Sequence, residues 1–261
     1  MKKIFSAILA AALVVSSLAV STAAHKDFKN LGEVPTTDEK ITLDGKLDDI
    51  YKQGFTMDIA TRTDGKTGGA TGKAYLVYSG NTMYCFVDVK DPEVCPIDPA
   101  KFASAFWTNE GAEFTLDYKN DGSTRHKYMA VYDGNKMKAG DAKETDFEVK
   151  GTSSATGWTI EYKVTMPADI KAGAGLGISV LLDDMTDGGK TRGIIRPVQS
   201  AKPGDNEVAK FDYIVLGSKK VSLPKAAAPA TAPATADPMT IALAASALAA
   251  AGIVVSKKKE R

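Results

Sequence analysis

The chain has 261 residues, a formal net charge of +1, 44% hydrophobic and 25% charged residues. Seven of its 33 Lys+Arg and two of its 32 Asp+Glu lie in the two end segments, leaving 26 basic against 30 acidic residues over positions 25–224. About 200 residues of that composition make one ordinary domain with a real core, and a mildly acidic balance without a basic stripe argues against nucleic acid as a partner.

Residues 1–24 read as a secretory signal peptide. Lys2 and Lys3 precede an apolar run from Ile4 to about Val20, and small residues follow, with Ser21-Thr22-Ala23 or Thr22-Ala23-Ala24 as the cleavage site. The domain then spans 25–224. Leu47–Lys52 suits one helical turn, and no long stretch of 3.6 period follows it. The hydrophobic period is instead two. Ala74–Tyr78, Met83–Val89, Ala112–Tyr118, Lys127–Tyr132, Trp158–Met166, Leu176–Leu182 and Phe211–Leu216 are strand candidates. In the third of these, Ala112, Phe114, Leu116 and Tyr118 share one face while Glu113, Thr115 and Asp117 share the other. In the fifth, Trp158, Ile160, Tyr162, Val164 and Met166 form the apolar face. Asp-Gly pairs at Asp44-Gly45, Asp64-Gly65, Asp121-Gly122, Asp133-Gly134 and Asp187-Gly188 suit tight reversals between strands. The pattern predicts an all-β, antiparallel, jelly-roll-like sandwich.

Two residue types invite a closer look. Cys85 and Cys95 are the only cysteines; in an exported chain they form either one disulfide closing a short loop or two buried thiols. Of the two tryptophans, Trp158 is in phase with an apolar face, which predicts a packing role. Trp107 is out of phase and falls in a polar loop.

Residues 225–238 hold the repeat Ala228-Pro229-Ala230-Thr231, Ala232-Pro233-Ala234-Thr235 and read as a semi-extended linker. Residues 239–256 follow as a transmembrane anchor. The 17-residue, largely apolar stretch Met239 to Val255 spans ~26 Å as a helix, near the lower limit for a bilayer. The tail 257–261, with Lys257, Lys258, Lys259 and Arg261, is expected on the cytoplasmic side. This end resembles the cell-wall sorting signal of Gram-positive surface proteins. It keeps the proline and threonine of L-P-x-T-G as Pro233 and Thr235, and lacks the leucine and glycine. Retention by the membrane helix is therefore expected over sortase transfer, with the domain extracellular and held at the membrane or wall of a Gram-positive-type bacterium.

Four segments, in order, resemble carbohydrate-binding module family 9. Ile41 to Tyr51 is similar to its "I-D-G-x-x-D-x-x-W" opening, and Met83 to Pro92 to its "L-Y-V-x-V-x-V-x-D-P" strand. Trp107 to Asp117 is similar to "W-x-x-D-x-V-E-I-F-I-D", and Gly157 to Glu161 to "G-W-x-x-E". The resemblance implies a β-sandwich that binds sugars, often beside glycoside hydrolases acting on plant polysaccharide. It places Trp107 as the stacking platform and Glu113 as the sugar-facing carboxylate. The family's second aromatic, expected after the strand at Gly193-Ile194-Ile195, is missing here, as are its Arg and Asn in the stretch Lys127–Tyr132. Tyr128 or Tyr132 is the substitute stacking residue, and Arg196 the donor to hydroxyls. Asp91 sits where the family often holds a structural calcium, with Asp88 and Glu93 as assisting carboxylates.

Catalysis finds little support. His25 and His126 are the only histidines, and neither stands in a nucleophile–base pattern. Gly173-Ala174-Gly175-Leu176-Gly177 precedes a strand, not a helix, and is no dinucleotide fingerprint. A haem-binding sandwich would need His126 and Met129, which differ by three and fall on opposite faces of one strand. The stronger rival to a glycan-binding module is an adhesin or structural wall-associated module that has lost sugar binding.

Overall fold

A computed structural model of the protein describes residues 28–66, 68–197 and 206–224. The expected signal peptide, linker, anchor and basic tail lie outside those residues. Among the described residues no helix is long and apolar enough to cross a membrane.

Thirteen strands account for most of the described chain: β1 (Asn30–Thr37), β2 (Phe55–Ile59), β3 (Thr61–Arg62), β4 (Thr71–Ser79), β5 (Thr82–Lys90), β6 (Gly111–Asp117), β7 (His126–Val131), β8 (Lys136–Gly140), β9 (Phe147–Ser154), β10 (Gly157–Thr165), β11 (Gly175–Thr186), β12 (Thr191–Arg196) and β13 (Tyr213–Val221). All seven stretches of alternating sequence are strands. The helical turn expected over Leu47–Lys52 is a 3-10 turn over Asp49–Gln53. The reversals behave as the Asp-Gly pairs suggest. Gly134, between β7 and β8, has φ +89°, and Gly188, between β11 and β12, has φ +65°, both in the region that favours glycine.

Hydrogen bonding runs along one path, β8-β7-β6-β11-β13-β1-β4-β5-β10-β9, with β12 added beside β11 and β2 beside β4. The path folds over so that β6, β7 and β11 face β4, β5 and β10 across a common core. Phe114 of β6 meets Tyr162 of β10 with ring centroids 5.8 Å apart, and the Tyr162 hydroxyl donates to the Ala112 carbonyl at 2.7 Å. Every core residue named in the two alternating stretches, Trp158 included, is buried. The sheet is not wholly antiparallel. β1 pairs parallel with both β13 and β4 and so joins the two layers. Its register shifts between Val34 and Thr36, where Pro35, which has no N–H to offer a ladder, is accommodated.

Two segments cover the outer faces of the layers. Ile50 and Tyr51 pack on Val77 and Phe86 outside β4 and β5, and this cover is pinned by Glu161. Its carboxylate accepts from the Asp44 and Gly45 amides at 2.9 and 3.0 Å and from the Tyr51 hydroxyl at 2.8 Å. On the opposite layer, the connection between β5 and β6 lays Phe106 onto Met129 and Val131, with Ile97, Phe102, Met137 and Ala139 around it. Phe106 is 3% exposed; the next residue is Trp107.

Candidate functional site

The outer face of β6, β7, β11 and β12 is built by register. Glu113 stands opposite Met129 on β7 and Leu181 on β11, and Thr115 stands opposite Lys127. Met185 stands opposite Arg192 on β12. With side chains alternating along each strand, Glu113, Lys127, Asp183 and Arg192 share this face. Lys127 donates to Glu113 Oε2; Arg192 lies 3.8 Å from Glu113 Oε1 and donates through Nε to Asp183 at 2.8 Å. Two carboxylates and two cations thus form one network. Burial, and then the charge of Glu113, push the Asp183 carboxyl above its usual range, while Arg192 opposes the shift.

Above this network lies a concavity of about 290 Å³, lined by Trp107, Glu113, Arg125, Lys127, Met129, Ala139, Arg192 and Asn206. Trp107, in a short 3-10 turn over Phe106–Thr108, is 41% exposed at its rim, whereas Trp158 is 2% exposed in the core. Trp107 and Glu113 therefore meet at one concavity, but in different roles. Glu113 is on the floor and 2% exposed, held by Lys127 and Arg192. Its side chain leaves the core face, as alternation requires, and is then covered by its ion-pair partners.

Other expected site residues lie elsewhere. Tyr128 is not a stacking residue: it is on the core face of β7, fully buried, with its hydroxyl 3.0 Å from that of Tyr118. Tyr132 is half-buried and donates to the Cys95 carbonyl at 2.9 Å. Arg196 is 7% exposed at the far end of β12, beside Thr61, and does not line the concavity. Arg125, Lys127, Arg192 and Asn206 are the polar lining residues not expected from the sequence. Lys127 was legible in principle, since it is in phase with Met129 and Val131. His126 and Met129 do fall on opposite faces of β7. His126 packs against Tyr118 with ring centroids 4.5 Å apart and planes tilted by 55°, and Met129 joins the outer cluster, so they offer no pair of axial ligands.

The cysteines are two separate thiols, not a disulfide. Cys85 is a core residue of β5. Cys95 is held by a contact from its Sγ to the Met185 carbonyl at 3.3 Å, and burial pushes its thiol up to about 11.

Asp91 has carboxylate partners, though not the expected ones. Asp88 is exposed, and Glu93 is occupied by the Asp187 and Gly188 amides. Asp91 instead meets Glu110 and Asp184. The three residues are buried and each offers an oxygen within 4.8 Å of the others. Asp91 accepts from the Glu93 amide at 2.9 Å and from the Trp158 indole N–H at 3.3 Å. Asp184 pairs with Arg62 at 2.7 Å. Glu110 Oε1 accepts from the Met185 and Cys95 amides at 3.1 and 3.4 Å, while Oε2 is buried with no partner. Burial, and then the charge of Asp91, push the Glu110 carboxyl up to about 9. An oxygen-only, buried and over-acidic cluster with an unsatisfied carboxylate oxygen fits a hard divalent cation such as calcium.

Comparison with known proteins agrees with this architecture. The fold is similar to that of a carbohydrate binding module family 9 from Caldicellulosiruptor kristjanssonii, solved in complex with cellotriose. The TM-score is 0.60 at 16% identity, covering 79% of this chain and 100% of that one. A structure of such a module from the same organism with glucose gives a TM-score of 0.60 at 17% identity over 76% and 100% of the two chains. No curated protein matches. The family model described as carbohydrate family 9 binding domain-like matches residues 43–216, which take in the four resembling segments from Leu43 onward as well as the whole concavity, and the chain belongs to that family.

Proposed function

We propose that the protein is a non-catalytic carbohydrate-binding module that takes a plant-type polysaccharide or oligosaccharide in the concavity beside Trp107. One observation carries this: the sole exposed large aromatic among the described residues stands at the rim of a concavity lined otherwise by five charged or hydrogen-bonding residues, Glu113, Arg125, Lys127, Arg192 and Asn206, and by the apolar Met129 and Ala139. A pyranose presents an apolar C–H face that packs on an indole, and hydroxyls that need donors and acceptors at its edge. Arg125, Arg192 and Asn206 supply those partners at the rim, over the Glu113–Lys127 pair. The cellotriose and glucose complexes of the family 9 structures support the ligand class. Glu113 and Asp183 have side chains only 3% and 4% exposed and are ion-paired, which favours binding over glycosidic cleavage.

The signal-peptide pattern and the apolar, basic C-terminus support export and display at the surface of a Gram-positive-type cell, where the module would hold substrate near glycoside hydrolases. Calcium at Asp91, Glu110 and Asp184 completes the proposal. It would neutralise the cluster and brace the loop that carries Trp107.

Affinity electrophoresis through cellulose- or xylan-bearing gels tests the function. The wild type is expected to be retarded and Trp107→Ala to run free. No retardation by any plant glycan would favour the rival, a wall-associated structural module; the lack of a second aromatic among the described lining residues is the feature that speaks for it.

A further inference from the structure

We propose that a divalent cation at Asp91, Glu110 and Asp184 raises the affinity of the Trp107 concavity for its glycan, so that the two sites bind cooperatively. The coupling rests on the glycan-binding function proposed above and on two physical connections.

The first is the connection from β5 to β6. Asp91 is its first residue and Glu110 its last, so one cluster ties both ends of the segment that presents Trp107. Within that segment, Cys95 donates to Glu110 and Asp98 donates to the Asn109 side chain at 2.6 Å. Trp107 precedes Glu110 by three residues and follows Phe106, which anchors the segment to β7. Ionised together, three buried carboxylates within 4.8 Å would repel one another, and among the described residues only Arg62, on Asp184, forms an ion pair with any of them. A divalent cation reverses that repulsion and draws the two ends of the segment together. The position of Trp107 is then fixed before the sugar arrives, which lowers the ordering cost of binding.

The second connection crosses β11. Asp184 belongs to the cation cluster, while Asp183 holds Arg192, which lines the concavity. Glu110 also accepts from the Met185 amide, and Met185 is the cross-strand partner of Arg192. A ligand fixing Glu110 and Asp184 from one side of the sheet therefore fixes the backbone that aims Arg192 on the other.

Linkage makes the coupling reciprocal. Titration calorimetry of the full chain with cellotriose and xylotriose, in EDTA and in saturating calcium chloride, tests it. The expected result is about tenfold tighter oligosaccharide binding with calcium, and about tenfold tighter calcium binding with saturating oligosaccharide. Glu110→Gln, which keeps the side-chain volume and the acceptor for the two amides, is expected to bind the oligosaccharide with a calcium-insensitive Kd. Oligosaccharide binding of equal Kd in both buffers overturns the coupling and leaves the proposed function standing, whether or not calcium binds. No binding to either oligosaccharide in either buffer overturns both.

Discussion

Asp183 and Asp184 are adjacent on β11 and face opposite sides of its sheet: Asp183 pairs with Arg192 beneath the Trp107 concavity, and Asp184 pairs with Arg62 in the carboxylate cluster. Alternation along a strand lets one dipeptide serve two sites without either side chain crossing the sheet. Asparagine at each position should therefore separate two phenotypes. Asp183→Asn loosens Arg192 and is expected to weaken glycan retardation while leaving intact the rise in Tm that calcium is expected to cause. Asp184→Asn is expected to abolish most of that rise. Thermal scans with and without calcium, beside affinity electrophoresis, distinguish them; identical behaviour of the two variants would refute the separation.

The two tryptophans make a sharper pair. Trp107 is 41% exposed and Trp158 is 2% exposed, its indole N–H bound to Asp91. Trp107→Ala removes a surface side chain and should change stability by only about 0.5 kcal/mol, while abolishing glycan binding. Trp158→Ala leaves a core cavity and should destabilise by ~3–5 kcal/mol. Urea denaturation of both variants checks this. Equal losses of stability would make Trp107 a structural residue and remove the basis of the site.

The contrast between those tryptophans was legible from period-two phase alone, as were seven strands, because a half-buried strand must alternate. Strands that escape notice carry weak or mixed patterns. β1 contains Gly32 and Pro35, β8 is Lys136-Met137-Lys138-Ala139-Gly140, and β9 ends in Thr152-Ser153-Ser154. β8 and β9 are the terminal strands of the hydrogen-bonded path, where apolar residues are needed least. The site divides similarly. Trp107 and Glu113 lie close in sequence, within one segment that carries the family resemblance. Arg192 reaches Glu113 only through the pairing of β6, β11 and β12, which no local pattern encodes. An aromatic in a strand reads equally as platform or core until its face is known, and Tyr128 is not a platform residue: it shares the core face with Ala130, against Phe114. Glu110 stands just before β6 and offers no phase to read, yet it completes the carboxylate cluster.

The floor of the concavity should respond to a double-mutant cycle. The Lys127 and Glu113 side chains are 5% and 3% exposed, so each needs the other's charge. Lys127→Met strands a buried carboxylate with Arg192 as its remaining cation, and is expected to cost about 3 kcal/mol. Adding Glu113→Gln removes the stranded charge and should restore part of that loss. A double variant less stable than Lys127→Met would show that the pair acts by packing and not by charge. Chemical denaturation of the four proteins gives the coupling energy.

The carboxylate cluster makes a prediction about pH. With no cation bound, burial and Asp91 hold the Glu110 carboxyl near 9, against about 4.5 for an ordinary glutamate. Between those values the folded protein keeps a proton that the unfolded chain has lost. Folding is therefore favoured by low pH, and the stability that depends on this proton is complete below about pH 4.5 and disappears as pH rises towards 9. Asp184, also raised by burial and by Asp91, acts in the same direction. In EDTA, Tm is expected to fall by roughly 5 °C or more between pH 5 and pH 8.5, given ~2–4 °C per kcal/mol for a domain of this size. Saturating calcium should flatten the profile, because the cation replaces the proton and binds more strongly once the proton has left. Glu110→Gln, with no proton to lose, should flatten it without calcium. A wild-type profile in EDTA that superimposes on that of Glu110→Gln would mean that Glu110 is already ionised at neutral pH, stabilised by some contact other than the amides of Cys95 and Met185.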